Sequence, residues 1–132
     1  MIVLDTHTLV WWVSDHSSLS SKARKCIEAE QKKKGDIVVS SISVWEVAML
    51  TTKGRLTLSM DIDIWLKLVG EIERVTYLPV NNRVAVESTR LPGEFHKDPA
   101  DRIITAQARA LAAPIVTADE KILKYSHVKT IW

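Results

Sequence analysis

Cysteine is almost missing from this 132-residue chain: Cys26 stands alone, so no intramolecular disulfide can staple the fold. A lone thiol on an apolar helical face reads as core, not as a nucleophile, and fits a reducing compartment. Long hydrophobic runs are missing too. None approaches the ~20 residues that cross a bilayer. The start Met1-Ile2-Val3-Leu4-Asp5 has neither the basic n-region nor the apolar h-region of a signal peptide. The expectation is a cytoplasmic protein with no membrane partner. Only four glycines are present, and they form no phosphate-cradling loop, so no ATP or NAD site is expected. His7, His16, His96 and His127 are scattered without metal-ligand spacing, although His7 and His96 flank acidic motifs and could touch a substrate. A strong charge of one sign is also lacking. The formal net charge of +2 announces no polyanion, but an acidic site would lower the sum and mask a local basic patch.

What is present is an ordinary globular composition, 46% hydrophobic and 26% charged, in a length that suits one domain over residues 1–132. Short apolar runs alternate with helical patterns. Ile2-Val3-Leu4, Ile37-Val38-Val39, Val75 to Val80, Ile115-Val116 and Val128 to Trp132 read as strands. Between them, Ser20-Ser21 caps a helix that Gly35 stops, and Ser40, Ser41 or Ser43 caps another running to about Thr52. Ile62, Trp65, Leu66, Val69 and Ile72 make one apolar helical stripe. Asn81-Asn82 caps the next helix, and Pro99 opens one in which Ile103, Ile104, Ala108 and Leu111 face inward. Glu120 to Tyr125 reads as a last short helix. This alternation predicts an α/β fold: a three-layer α/β/α sandwich around a mostly parallel five-stranded sheet.

Five carboxylates stand out against that frame. Each has a bland explanation. Asp5 follows an apolar strand and suits the N-cap of a Thr6–Val13 helix. Asp98 before Pro99 is a standard helix start, and Asp101 at N3 complements the helix dipole. Thr117 and Glu120 fit a T-x-x-E capping box, which puts Asp119 at N2 with its side chain free for a ligand. Glu46 is harder to dismiss, because Val44, Trp45, Val47, Ala48, Met49 and Leu50 suggest a helix buried on most faces. Sites in open parallel sheets form beyond the carboxyl ends of the strands. Asp5, Glu46, Asp98, Asp101 and Asp119 gathered there would concentrate negative charge that needs protons or a hard cation. Mg²⁺, or Mn²⁺, would acidify water and neutralise charge on a phosphate, with the Thr6 or Thr117 hydroxyl positioning water or a ligand.

At these residues the chain resembles the PIN-domain ribonucleases, and among them the VapC toxins of bacterial toxin–antitoxin modules. The resemblance spans nearly the whole chain. It rests on Ile2-Val3-Leu4-Asp5-Thr6-His7 with Trp11-Trp12, on Ser40-Ser41-Ile42-Ser43-Val44-Trp45-Glu46-Val47-Ala48, and on Lys53-Gly54-Arg55-Leu56. His96-Lys97-Asp98-Pro99-Ala100-Asp101-Arg102-Ile103-Ile104 and Ile115-Val116-Thr117-Ala118-Asp119 complete it. The resemblance implies Mg²⁺-dependent endoribonuclease activity, control by a cognate antitoxin and a homodimer. It makes Asp5, Glu46, Asp101 and Asp119 the acidic quartet, with Asp98 accessory. Ala100 stands where this branch often has Phe, which should change packing near the helix start.

Lys53, Arg55 and Arg102 are placed to hold RNA phosphates, Arg102 having the alternative of pairing with a site acid. Lys32-Lys33-Lys34 reads as a solvated helix end. Five tryptophans are many for this length and read as core or interface anchors, with base stacking secondary. The helix around Trp65 could supply part of a dimer surface, and an antitoxin segment could occlude the acidic groove with an Arg. Two other functions use the same acids. One is an inactive binding module for nucleic acid or protein. The other is a phosphatase or DNA-directed nuclease, which substrate competition would separate from an RNase.

Overall fold

A computed structural model describes all 132 residues. Its elements, in chain order, are β1 (Ile2–Leu4), α1 (Thr6–Val13), α2 (Ser21–Lys32), β2 (Ile37–Ser40), α3 (Ser41–Thr52) and α4 (Ile62–Glu71). There follow β3 (Val75–Leu78), α5 (Asn82–Thr89), α6 (Pro99–Leu111), β4 (Ile115–Val116), α7 (Glu120–Leu123) and β5 (Thr130–Ile131). The strands form one sheet in the order β3-β2-β1-β4-β5, and every pairing is parallel. The expected sandwich is therefore present, with a wholly parallel sheet.

Alternation along the strands sorts side chains to the two faces. Ile2, Leu4, Ile37 and Val39 pack with Leu9, Ala23, Ile27, Val47, Trp65 and Val69, so α1 to α4 cover one face. Val3, Val38 and Ile115 pack with Ile104, Ala108 and Ile122, so α6 and α7 cover the other. A smaller cluster, Val84, Leu91, Ala106 and Tyr125, seats α5 on α6. Each fully buried aliphatic side chain in these clusters contributes roughly 1.5–3 kcal/mol of hydrophobic stabilisation. Ala100, the residue in place of an expected Phe, is itself buried at the start of α6.

Caps set the helix starts. Ser20, Ser40, Asn81 and Asp98 each accept a backbone N–H at the predicted position. Three expectations are corrected. β3 ends at Leu78 rather than Val80, β5 is confined to Thr130–Ile131, and α7 stops at Leu123 rather than Tyr125. Trp65 is turned into the core at 6% exposure, so the outer side of α4 is formed by Ile64 and Leu68 instead. No helix is long and apolar enough to cross a membrane.

The strand order reverses direction around β1. One neighbour, β2, continues toward β3, and the other, β4, continues toward β5. The crevice between the carboxyl ends of β1 and β4 is the switch point at which open parallel sheets place their sites.

Candidate active site

Asp5 sits at the end of β1 and caps α1. It is 5% exposed, and both carboxylate oxygens are engaged. Oδ1 accepts the Thr8 N–H at 2.9 Å, and Oδ2 accepts the Thr117 hydroxyl. Burial raises its pKa, against the opposing pull of Thr117, Thr8 and the positive field of His7. Thr117 also accepts the Asp119 N–H at 3.0 Å, so one buried hydroxyl ties the ends of β1 and β4 together.

This arrangement corrects the capping-box reading. Thr117 is drawn to Asp5, and Asp119 itself becomes the N-cap of α7, its Oδ1 accepting from Lys121 N and Ile122 N. Its Oδ2 makes no hydrogen bond within the protein. Asp98 is the N-cap of α6, with Oδ1 3.2 Å from Asp101 N. Its second oxygen is likewise unbonded.

Glu46 lies one and a half turns into α3, whose N-terminus starts at the same sheet edge. The helix is less buried than its composition suggested. Only Ser43 and Val47 are buried, and Trp45 is 57% exposed. Glu46 is half-buried. Its Oε1 accepts the Thr6 hydroxyl, which shares a further 2.9 Å hydrogen bond with Ser43. Burial raises the Glu46 pKa, Thr6 lowers it, and Asp98 and Asp5 push it up from across the crevice. Ser43 was not foreseen as a site residue. Its spacing three before Glu46 on one helix is the signal that marks it.

Asp101 occupies the centre of this field. Burial raises its pKa to about 7, and Asp98, Asp119, Glu46 and Asp5 each add to the rise. Its Oδ2 lies 3.0 Å from Nε2 of His96. That nitrogen makes no well-aligned hydrogen bond, so the contact is one of proximity and charge. The five carboxylates thus do meet at one edge, from four segments of chain. No three of them, with or without a histidine or the cysteine, converge tightly enough to ligate an ion as they stand. The donor set nonetheless fits a hard divalent cation. It is all oxygen, it carries excess negative charge, and Glu46 Oε2, Asp98 Oδ2, Asp101 Oδ1 and Asp119 Oδ2 have no protein partner.

The basic residues divide. Arg102 is adjacent to Asp101 in sequence but points elsewhere. Its Nε donates to Ser88 O at 2.7 Å, and Nη1 donates to Phe95 O and His96 O at 3.0 and 3.1 Å, with the guanidinium over the Phe95 ring. This corrects its reading as a phosphate contact and as an ion-pair partner: it holds the loop before α6 in place. Lys53 and Arg55 are exposed beyond the end of α3 and form no salt bridge. His7 is exposed and rests against Trp11, with ring centroids 5.8 Å apart. Lys33 is exposed as expected, but it pairs with Glu30, a buried glutamate that sequence reading passed over.

Comparison with known proteins agrees with this geometry. The family model described as PIN domain matches residues 2–128. Ribonuclease VapC22 of Mycobacterium tuberculosis (strain ATCC 25618 / H37Rv) is 31% identical over 99% of this chain and 98% of its own. VapBC2 from Rickettsia felis, solved bound to a DNA fragment from their promoter, superposes with a TM-score of 0.72 at 19% identity, covering 98% of this chain and 97% of that one. A toxin–antitoxin complex from Klebsiella pneumoniae gives 0.66 at 17% identity, over 97% and 95%. With its parallel sheet, its switch-point crevice and its ring of acids, the chain belongs to the PIN domain family.

Proposed function

We propose that this chain is a Mg²⁺-dependent endoribonuclease, with Mn²⁺ as an alternative ion, and the toxin of a toxin–antitoxin pair. The observation that carries the reading is the meeting of Asp5, Glu46, Asp98, Asp101 and Asp119 at the β1–β4 crevice, in a chain of this family. The 31% identity to a protein named as a ribonuclease supports the activity. The fold shared with a toxin–antitoxin complex supports an antitoxin partner.

Bound among these oxygens, the ion supplies Lewis acidity that acidifies water and neutralises charge developing on the phosphate. The protein supplies position. Thr117 fixes Oδ2 of Asp5, Thr6 fixes Oε1 of Glu46, and His96 stands against Oδ2 of Asp101. The remaining oxygens of Glu46, Asp101 and Asp119 are left to hold the ion and orient water. Lys53 and Arg55 hold RNA phosphates from the end of α3. Attack by water leaves no covalent intermediate, in keeping with a site that offers no activated Ser or Cys. A homodimer completes the reading, with Ile64 and Leu68 as exposed apolar surface on α4.

The test is cleavage of total cellular RNA by the purified protein, freed of antitoxin, with Mg²⁺, with EDTA, and with Asp5→Asn as control. Discrete Mg²⁺-dependent products that the variant fails to make are expected. Absence of any cleavage by folded, metal-loaded protein would refute the reading and leave a binding module.

A further inference from the structure

The crevice holds five acids, yet the chain as a whole carries a net charge of +2. Taking those five out of the sum leaves the rest of the molecule at +7. Part of that surplus is concentrated on one flank. Arg83 on α5, Arg90 just past its end and Arg109 near the end of α6 surround a single carboxylate, Glu87. Arg90 Nη2 donates to Glu87 Oε1 at 2.8 Å. That contact, with the added fields of Arg83 and Arg109, holds the Glu87 carboxyl below its ordinary value.

Two open clefts meet at Arg109. One, of about 210 Å³, lies between α5 and α6 and is lined by Arg83, Glu87, Arg90 and Arg109. The other, of about 290 Å³, lies between the end of α6 and the approach to β5 and is lined by Arg109, His127 and Lys129. The Arg109 guanidinium donates to the His127 carbonyl oxygen, which fixes it at the junction. Arg83, Arg109 and Lys129 are exposed and form no salt bridge.

The flank lies toward the far end of α6 from the acidic crevice. Asp101 and Arg109 are eight residues apart on α6, about 12 Å along the axis. Beneath the surface, a row of rings that includes buried Tyr125 runs through the same region. His96 stands against Asp101 and packs on Phe95 at 4.7 Å, Phe95 packs on Tyr125 at 4.7 Å, and Tyr125 packs on His127 at 5.4 Å.

A ring of acids repels a phosphodiester backbone everywhere except at a bound cation, so attraction for a polyanion must come from outside the crevice. Planar guanidiniums with no carboxylate of their own are suited to phosphates. Resting on the nuclease reading above, we propose that Arg83, Arg109 and Lys129 form a second RNA-binding surface. It grips the backbone of single-stranded RNA a few nucleotides from the scissile bond, without regard to sequence.

The experiment uses the full chain in two variants, Arg83→Ala/Arg109→Ala/Lys129→Ala and Arg83→Glu/Lys129→Glu. The second keeps the Arg109–His127 contact in case its loss unsettles the fold. Binding of single-stranded RNA is measured against salt in an Asp5→Asn background. Cleavage is measured on a long transcript and on the smallest fragment of it still cut. The triple variant should lower the salt slope by about 2, at ~0.7 per lost phosphate contact. Both variants should raise KM for the long RNA at least fivefold and leave kcat, and cleavage of the fragment, at wild-type values. Unchanged slope and KM in both variants, with wild type cutting RNA, would overturn the surface and leave the nuclease. RNA binding lost in the variants of a protein that cuts nothing would uphold the surface and overturn the nuclease. Loss of antitoxin binding with RNA binding intact would overturn RNA as the occupant.

Discussion

Asp101→Asn should make the metal-free protein more stable, and by an amount that depends on pH. In the folded chain the Asp101 carboxyl is raised from 3.8 to about 7. Between those values the folded state binds a proton that the unfolded state has lost. Stability therefore falls as pH rises through that window. The penalty is absent near pH 4 and complete above about pH 8. Converted at 1.36 kcal/mol per unit, the full shift corresponds to ~4 kcal/mol. The side chain is 19% exposed, and solvent and salt screen the neighbouring acids, so about 2 kcal/mol is expected. For a chain of this size that is roughly 8 °C in Tm. Asn keeps the shape of the side chain and removes the charge. Thermal melts of wild type and variant in EDTA at pH 4, 6 and 8 measure the difference, which should grow from near zero to its full value. Saturating Mg²⁺ at pH 8 should then raise wild type and leave the variant nearly where it was. A variant that melts at or below wild type in EDTA at pH 8 would refute the idea that acid repulsion is stored at Asp101.

Three further outcomes follow from the geometry. Thr117→Val should lose about 2–3 kcal/mol in urea unfolding and most of the cleavage activity, because it strands buried Asp5 Oδ2 and the Asp119 N–H together, and Thr117→Ser should restore both. Arg102→Ala should cost about 3 kcal/mol of stability through three lost carbonyl contacts, whereas Arg55→Ala should change stability by less than ~0.5 kcal/mol and weaken RNA binding, as melts and binding titrations on the same pair will separate. Gly35→Ala should lower stability by about 2 kcal/mol in the same unfolding assay, since its Cβ would stand 1.9 Å from Oε2 of buried Glu30 and displace that carboxylate from Lys33 and the Met1 ammonium.

Much of the fold was legible because its signals are local. Apolar runs such as Ile37-Val38-Val39 announce buried strands, and Ser20, Asn81 and Asp98 announce helix starts. What sequence hid is tertiary competition. Thr117 has the spacing of a cap, but a bond to Asp5, 112 positions away, takes it, and the capping task passes to Asp119. Arg102 is the chain neighbour of Asp101, yet a helix turns about 100° per residue and carries its guanidinium toward Ser88 and Phe95. The apolar residues around Glu46 suggested burial, but composition does not distinguish a core face from an exposed one, and Trp45 lies outside. The acids themselves were recognisable from their places at strand ends and helix starts. The closeness of their approach was not, since it depends on which oxygens the caps and hydroxyls have already claimed.

The join between β1 and β4 is a short seam, two residue pairs like the β4–β5 join, against three for β1–β2 and four for β2–β3. It registers only Val3 with Ile115 and Leu4 with Val116, and beyond it the Thr117 hydroxyl donates to Asp5 while the Asp5 N–H and the Thr8 hydroxyl both donate to Val116 O. Asp119 is moored there, whereas Asp98 and Asp101 ride on α6, which also packs against α3 and α5. An agent that silences this protein need never touch an acid. A wedge at that seam would draw Asp119 away from Asp5 while the β1–β2–β3 half of the sheet stood intact, so the crevice could be broken well before the fold is.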